Sequence, residues 1–373
     1  MSAVTAAHPA LAAVDFAGLG LRNRLAVAPM TRVSATADGL VTDDMAAYYQ
    51  AFALGGFGLV VTEGTYTDTA FSQGYFGQPG IVSAAQAAAW QPVTAQVHAA
   101  GARIVSQLMH AGALTQGNRF RDRTAGPSAI QPLGEQLSNY GGSGPWPVPV
   151  ELSPPDITGV IEGFAASAAR AREAGFDGVE IHAANGYLLD QFLTPRTNTR
   201  TDRYGGGIEQ RVRLTGEVVA AVREATGTGF TVGVRFSQAK VNDHTHRWPD
   251  DPREAAVVFT AAAHAGADYL HIAGNGRDWF TDATLGAKGP TLSSLAHGVT
   301  GLPVIANGGL HHADTARRVL DERHAQLLAI GTAALANPDL PRRLTEGTAL
   351  TPFDPALLQP RATLENARRV LAG

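Results

Sequence analysis

The stretch Gly178-Val-Glu-Ile-His-Ala-Ala-Asn-Gly-Tyr187 reads as a buried strand that ends by turning an imidazole, a carboxamide and a phenol out of one edge. Seven further runs share its short, apolar, β-branched grammar: 25–30, 59–63, 103–109, 231–236, 269–273, 303–306 and 327–330. Each fits a parallel strand covered on both faces. Helix-like stretches lie between them over 43–54, 84–99, 157–173, 208–224, 252–264 and 313–320. Strands alternating with helices call for a parallel sheet covered or closed by helices.

The connections are asymmetric. Helix-to-strand turns are brief and marked by glycine (Gly55-Gly56, Gly101, Gly175, Gly266, Gly301), whereas the strand-to-helix segments 111–155, 237–251 and 274–290 are long. That bias predicts an α/β fold of the (β/α)8 barrel type, in which the strand-to-helix loops build the active face. An open doubly wound sheet would want a G-x-G-x-x-G turn after its first strand, and Ala28-Pro29-Met30-Thr31 has none. The chain is therefore predicted to be one domain over 1–373, with 350–373 as a C-terminal extension. Residues 111–155, which include Tyr140-Gly-Gly-Ser-Gly-Pro-Trp-Pro147, are too rich in Pro and Gly for a helix. They are expected to cover the site rather than to link two domains.

Composition narrows the function. The 29 basic and 33 acidic residues are interspersed and sum to a net charge of −4, so nothing favours nucleic acid as a partner. There is no cysteine, which removes disulfides, thiolate catalysis, iron–sulfur ligation and cysteine-based zinc sites. Redox chemistry would need a cofactor. No basic cluster precedes an apolar block at the start and no 18-residue apolar run occurs, so no membrane span and a cytoplasmic location are expected.

His182 and Asn185, three residues apart, could both aim N–H groups at one oxygen, as an oxyanion hole does. A histidine that merely caps the strand's backbone is an equal reading of His182 alone. Tyr187, protonated near neutrality, suits a general acid, although taken singly it fits an aromatic opening the apolar run 187–192.

The stretch 176–211, with His-Ala-Ala-Asn-Gly-Tyr-Leu-Leu-Asp-Gln-Phe-Leu, Asn198-Thr-Arg-Thr-Asp202 and Tyr204-Gly-Gly206, resembles the signature of the Old Yellow Enzyme family. Further matches follow in order: Asn23-Arg-Leu25, Ala28-Pro-Met-Thr-Arg32, Thr62-Glu-Gly-Thr65, Gln107-Leu108, Val232-Gly-Val-Arg235 and Ala336-Asn-Pro-Asp-Leu340. The resemblance covers about 21–344. It implies an FMN-dependent ene reductase on a (β/α)8 barrel, taking NADPH or NADH as hydride donor and electron-poor alkenes as small-molecule partners. In the implied reaction, NAD(P)H reduces FMN and flavin N5 then passes hydride to the β-carbon. His182 and Asn185 would hold the carbonyl or nitro oxygen, and Tyr187 would protonate the α-carbon. Whether the chain is a monomer or a homo-oligomer is left open.

The resemblance also assigns cofactor contacts. Thr31 would meet the flavin carbonyl near N5 and border the substrate. Pro29, Met30 and Gly64 would supply backbone, with Gly64 small enough for the ring to approach, and Gln107 would pair with the pyrimidine edge. Arg235 would place a positive charge beside N1 and O2; read from its residue type alone, a salt bridge to a carboxylate such as Glu180 also suits it. Asn307-Gly308-Gly309 and Gly331-Thr332 fall where barrels bind phosphate. Thr332 stands where the family usually has an arginine. The His182/Asn185 pair resembles the His/Asn subgroup, whereas Gln107-Leu-Met-His-Ala-Gly112 resembles the other branch, so subclass stays open.

Two rival functions use the same fold. One is a Schiff-base lyase with Lys240 as nucleophile; the other is a flavin-binding barrel without turnover. No metal site is expected, with His244/His246 and His311/His312 read as solvated loop histidines.

Overall fold

The computed structural model describes residues 8–274, 276 and 278–372. Eight parallel strands close on themselves: β1 (Leu25–Val27), β2 (Leu59–Val61), β3 (Arg103–Met109), β4 (Gly178–His182), β5 (Thr231–Ser237), β6 (Tyr269–Ala273), β7 (Val304–Asn307) and β8 (Leu327–Ile330). Each pairs with the next in sequence, and β8 returns to β1 through Leu328 opposite Leu25 and Ile330 opposite Val27. The predicted barrel is the observed one. Strands β1 and β2 end earlier than expected, so Pro29, Met30, Glu63 and Gly64 lie in the loops beyond them.

The helices are α1 (Asp43–Gly55), α2 (Ala84–Ala99), α3 (Pro154–Glu173), α4 (Arg213–Thr226), α5 (Pro252–His264), α6 (Leu292–Thr300), α7 (Ala313–Asp321) and α8 (Leu340–Glu346). Their starts follow side-chain caps: Thr42 accepts from Met45 N–H and Ser83 from Gln86 N–H. Ser153 and Asp156 form a reciprocal capping box with Pro154 in the first turn. That box starts α3 three residues before the first apolar position, a signal the reading by periodicity passed over. The glycine-marked turns arise because Gly56, Gly101, Gly175, Gly266 and Gly301 all take positive φ, between 71° and 107°, which an L side chain resists.

Side chains alternate along each strand and separate the core into two layers. Val60, Ile104, Val179, Ile181, Val232, Val234, Leu270 and Val304 face the helices. Ala26, Leu59, Val61, Val105, Tyr269, Ile305, Leu327 and Ala329 fill the barrel interior. An N-terminal hairpin, Val14–Phe16 with Leu19–Leu21, plugs the amino ends of the strands with Phe16, Leu19 and Leu21. Small short-range elements that the sequence reading omitted include this hairpin, Leu188–Leu193, Trp279–Ala283, Thr332–Ala336 and Leu364–Ala372. Residues 275 and 277 of the long connection after β6 lie outside the described residues. Among the described residues, no helix is long and apolar enough to cross a membrane.

One interior position has no room for any side chain: a Cβ on Gly233 of β5 would lie 2.0 Å from Cζ of the Tyr269 ring. Gly233→Ala is expected to destabilise the fold by about 1–3 kcal/mol through overpacking. Urea unfolding reads this directly, and an unchanged midpoint would show that the ring is not wedged there.

Candidate active site

A cavity of about 290 Å³ opens at the carboxyl ends of the strands, near the lower end of the range of small-molecule sites. Its wall includes Pro29, Met30 and Thr31 after β1, Gly64 after β2, Gln107 and Met109 on β3, His182 on β4 with Asn185 and Tyr187 beyond it, Arg235 on β5, and Thr332 after β8. Ten of the residues singled out in the sequence therefore meet on one surface. The other four, Asn307 at the end of β7, Gly308 and Gly309 after it and Gly331 after β8, lie at the same end of the barrel but do not line the cavity.

The turn after β4 is held in a conformation few residues adopt. Asn185 has φ of 61° and is followed by Gly186 at 86°. Asn185 N–H donates to Ser237 Oγ at 2.7 Å, its carbonyl accepts from Val241 N–H at 3.0 Å, and Gly186 N–H donates to the Asp190 carboxylate at 2.6 Å. These bonds stabilise the left-handed backbone that carries Asn185 to the cavity.

His182 is buried and its ring meets that of Tyr187 edge-on, with centroids 5.0 Å apart. Burial, then the neighbouring Arg235 charge, pushes the imidazole pKa down to about 3, so it is neutral at physiological pH. Its Nδ1 is buried with no partner among the described residues. The reading of His182 as a backbone cap therefore finds no support at that nitrogen. The Tyr187 hydroxyl hydrogen-bonds that of Tyr75. Burial raises the Tyr187 pKa and nearby Tyr140 raises it further, while the Tyr75 bond pulls it back, so the phenol keeps its proton.

Arg235 makes no ion pair with Glu180 among the described residues; its Nη2 donates to Asn307 Oδ1 at 3.2 Å and its Nε has no partner among them. Asn307 in turn donates to Ala329 O at 2.9 Å, so its side chain braces Arg235 instead of standing free for a phosphate. Gly308 and Gly309 have positive φ and pass so close to Gly274 and Gly276 that a Cβ on either would fall 3.1 or 2.9 Å from backbone atoms. Gly64 lines the cavity and is also crowded from within the fold: a Cβ there would sit 2.5 Å from Met109 Sδ, so the missing side chain makes room for that thioether.

The long segment after β3 contributes side chains to the cavity wall. Its short ladder pairs Ala125–Gly126 with Val150–Glu151, and Leu137, Asn139 and Tyr140 enter the cavity wall. Ala362 N–H donates to Asn139 O at 2.9 Å, which ties this stretch to the C-terminal segment, and Leu358 of that segment also lines the cavity. Sequence reasoning placed none of these side chains; a tyrosine in a predicted cover was the only available signal. His244 reaches the cavity wall and His246 Nδ1 bonds Gln238 O at 2.8 Å, so the pair is not simply solvated. Among the described residues, no cluster of three or more His, Cys, Asp or Glu could hold a metal ion.

Lys240 does not line the cavity. Its ammonium is buried in an ion pair with Asp190, 2.7 Å from Oδ1, so it is not the available nucleophile that the lyase reading requires.

A planar heterocycle that carries both acceptors and donors, with an anionic edge, fits the groups that converge here: a guanidinium, a glutamine amide and a threonine hydroxyl around a cleft whose buried His182 Nδ1 and Arg235 Nε lack protein partners among the described residues. The profile of the NADH:flavin oxidoreductase / NADH oxidase family matches residues 13–351. The chain belongs to this Old Yellow Enzyme family. It is 38% identical over 347 residues to chanoclavine-I aldehyde reductase fgaOx3 of Penicillium roqueforti, covering 90% of this chain and 89% of that one. It is 33% identical over 376 residues to flavin oxidoreductase hxnT of Emericella nidulans, covering 95% of both. Among solved structures, the Old Yellow Enzyme homologue of Zymomonas mobilis superposes with a TM-score of 0.81 at 33% identity, covering 92% of this chain and 94% of that one. Morphinone reductase in complex with tetrahydroNAD gives 0.82 at 32%, covering 94% and 93%.

Because His182 is neutral well below its ordinary range, its donor capacity is constant across physiological pH. The affinity for a ketone acceptor is expected to show no His182 titration between about pH 5 and 8. A binding step near pH 6.5 that disappears in His182→Asn would contradict the buried, neutral imidazole.

Proposed function

We propose that the protein is an FMN-dependent reductase that takes electrons from NAD(P)H and reduces the activated C=C bond of α,β-unsaturated carbonyl or nitro compounds. The observation that carries this reading is the meeting of His182, Asn185 and Tyr187 with Thr31, Gln107 and Arg235 around one cavity. Bound there, FMN supplies a hydride that it has accepted from the nicotinamide. Everything else is the work of the chain. Gln107 and Arg235 would hold the pyrimidine edge, and Thr31 would meet the carbonyl near N5. Pro29, Met30 and Gly64 would border the ring, and the backbone of Asn307, Gly308, Gly309, Gly331 and Thr332 would face the phosphate end.

His182 and Asn185 donate to the acceptor's carbonyl or nitro oxygen, withdrawing electrons from the β-carbon and stabilising negative charge as it develops. Tyr187, kept protonated by burial, gives its proton to the α-carbon. The hydroxyl of Tyr75 then solvates the resulting phenolate. Tyr140 and Leu358 border the acceptor and limit water entry. A cytoplasmic location belongs to the same proposal and rests on the lack of cysteine.

Tyr187→Phe should slow alkene reduction by roughly 10²–10⁴-fold while flavin bleaching by NAD(P)H stays near the unsubstituted rate. Stopped-flow measurement of the two half-reactions separates them. Equal loss in both would remove Tyr187 from the acid role.

A further inference from the structure

Below the cavity, the barrel interior contains a polar group that the proposed reaction does not use. Glu180, on the inner face of β4, is fully buried. Its carboxylate accepts from Gln107 Nε2 at 2.8 Å, His271 Nδ1 at 2.8 Å and the Tyr269 hydroxyl at 3.2 Å. Those donors come from two strands, Gln107 from β3 and both Tyr269 and His271 from β6. Tyr269 reaches Glu180 only because the residue between them in register is Gly233, which pairs with Glu180 on one side and Tyr269 on the other. A Cβ at Gly233 would strike the phenol ring, so the barrel is built to let that ring cross. Two residues further along β5, Arg235 lies between His182 and His271 in the same two pairings.

This arrangement has two consequences for the cavity above. An ionised carboxylate accepts hydrogen bonds and donates none, so the end of the Gln107 amide that meets Glu180 has to be the NH2. The Gln107 carbonyl oxygen is thereby left to face the site as an acceptor. Second, a buried negative charge beneath Arg235 offsets the guanidinium's field, in a medium where charges are weakly screened. Burial opposes ionisation of Glu180, but His271, Arg235 and Gln107 outweigh it and hold its pKa well below the ordinary value.

We propose that Glu180 is a positioning residue for the flavin, fixing the orientation of the Gln107 amide and lowering the potential of the bound cofactor from the value that Arg235 alone would impose. The inference rests on the reading that FMN occupies this cavity. Glu180 touches neither cofactor nor substrate; it acts through Gln107 by contact and through Arg235 by charge. Removing the charge favours the more electron-rich, reduced flavin.

The test is the midpoint potential of FMN on the reconstituted protein, measured by anaerobic dye-coupled titration, together with the dissociation constants of oxidised and reduced FMN. Glu180→Gln, nearly isosteric, is expected to favour the reduced form by roughly tenfold, an upward shift of about 30 mV for a two-electron couple. Tyr269→Phe removes a hydrogen bond but keeps the charge, and its potential should match the unsubstituted protein. Should Glu180→Gln not fold, the double variant E180L/H271L replaces the buried polar pair with apolar groups, an exchange that folds often tolerate. It carries the same expected upward shift. An unchanged potential in the charge-removing variant overturns the inference, as does an equal shift in Tyr269→Phe, which would trace the effect to packing. An unsubstituted protein that binds no FMN overturns this inference and the functional reading together, whereas FMN binding with an unmoved potential overturns this inference alone.

Discussion

The site depends on strand parity inside a closed barrel. In β4, Val179 and Ile181 face the helices, which sends Glu180 and His182 inward; a slip of one residue would reverse all four. The pairings Gln107 with Glu180 and Arg235 with His182 bring the amide, carboxylate, imidazole and guanidinium to one region of the interior. The apolar layer beneath, from Val61 and Val105 to Ile305 and Leu327, fills the rest of the cylinder and makes that height the floor of the cavity.

Burying this many polar groups is tolerable because most of them answer one another. Glu180 has three donors, Asn307 both accepts from Arg235 and donates to the β8 backbone, and Asp190 satisfies both Gly186 N–H and Lys240. Several buried polar atoms lack protein partners among the described residues, His271 Nε2 among them, and two of these, His182 Nδ1 and Arg235 Nε, belong to residues of the cavity wall where the reaction is proposed to occur. An unsatisfied buried polar group costs about 1–3 kcal/mol. A ligand that supplies the missing partner recovers part of that cost, which ties cofactor binding to stability.

The sequence was most legible where the signal is local. Apolar β-branched runs marked all eight strands, and glycine marked the returns at Gly56, Gly101, Gly175, Gly266 and Gly301 because their backbone needs positive φ. The ordered motifs from Pro29 to Thr332 placed most of the cavity wall. Contacts over long sequence separation were not legible. Nothing near Lys240 announces its pairing with Asp190, fifty residues earlier. Gly64 is glycine because of Met109, a neighbour only in space. Tyr75 and Tyr140 reach the centre from irregular loops whose course no periodicity encodes, and Leu358 comes from a tail docked by Arg32 and Asn139 backbone contacts.

The central claim is that one face of this barrel holds the flavin and the acceptor between the β4 exit and the Gln107–Arg235 edge. A crystal structure of the protein reconstituted with FMN and soaked with a cyclic enone tests it most directly. The account predicts the pyrimidine edge against Gln107 and Arg235, the enone oxygen within hydrogen-bond reach of His182 and Asn185, and the Tyr187 hydroxyl over the α-carbon. Flavin bound elsewhere, or an enone oriented away from His182 and Asn185, would contradict it.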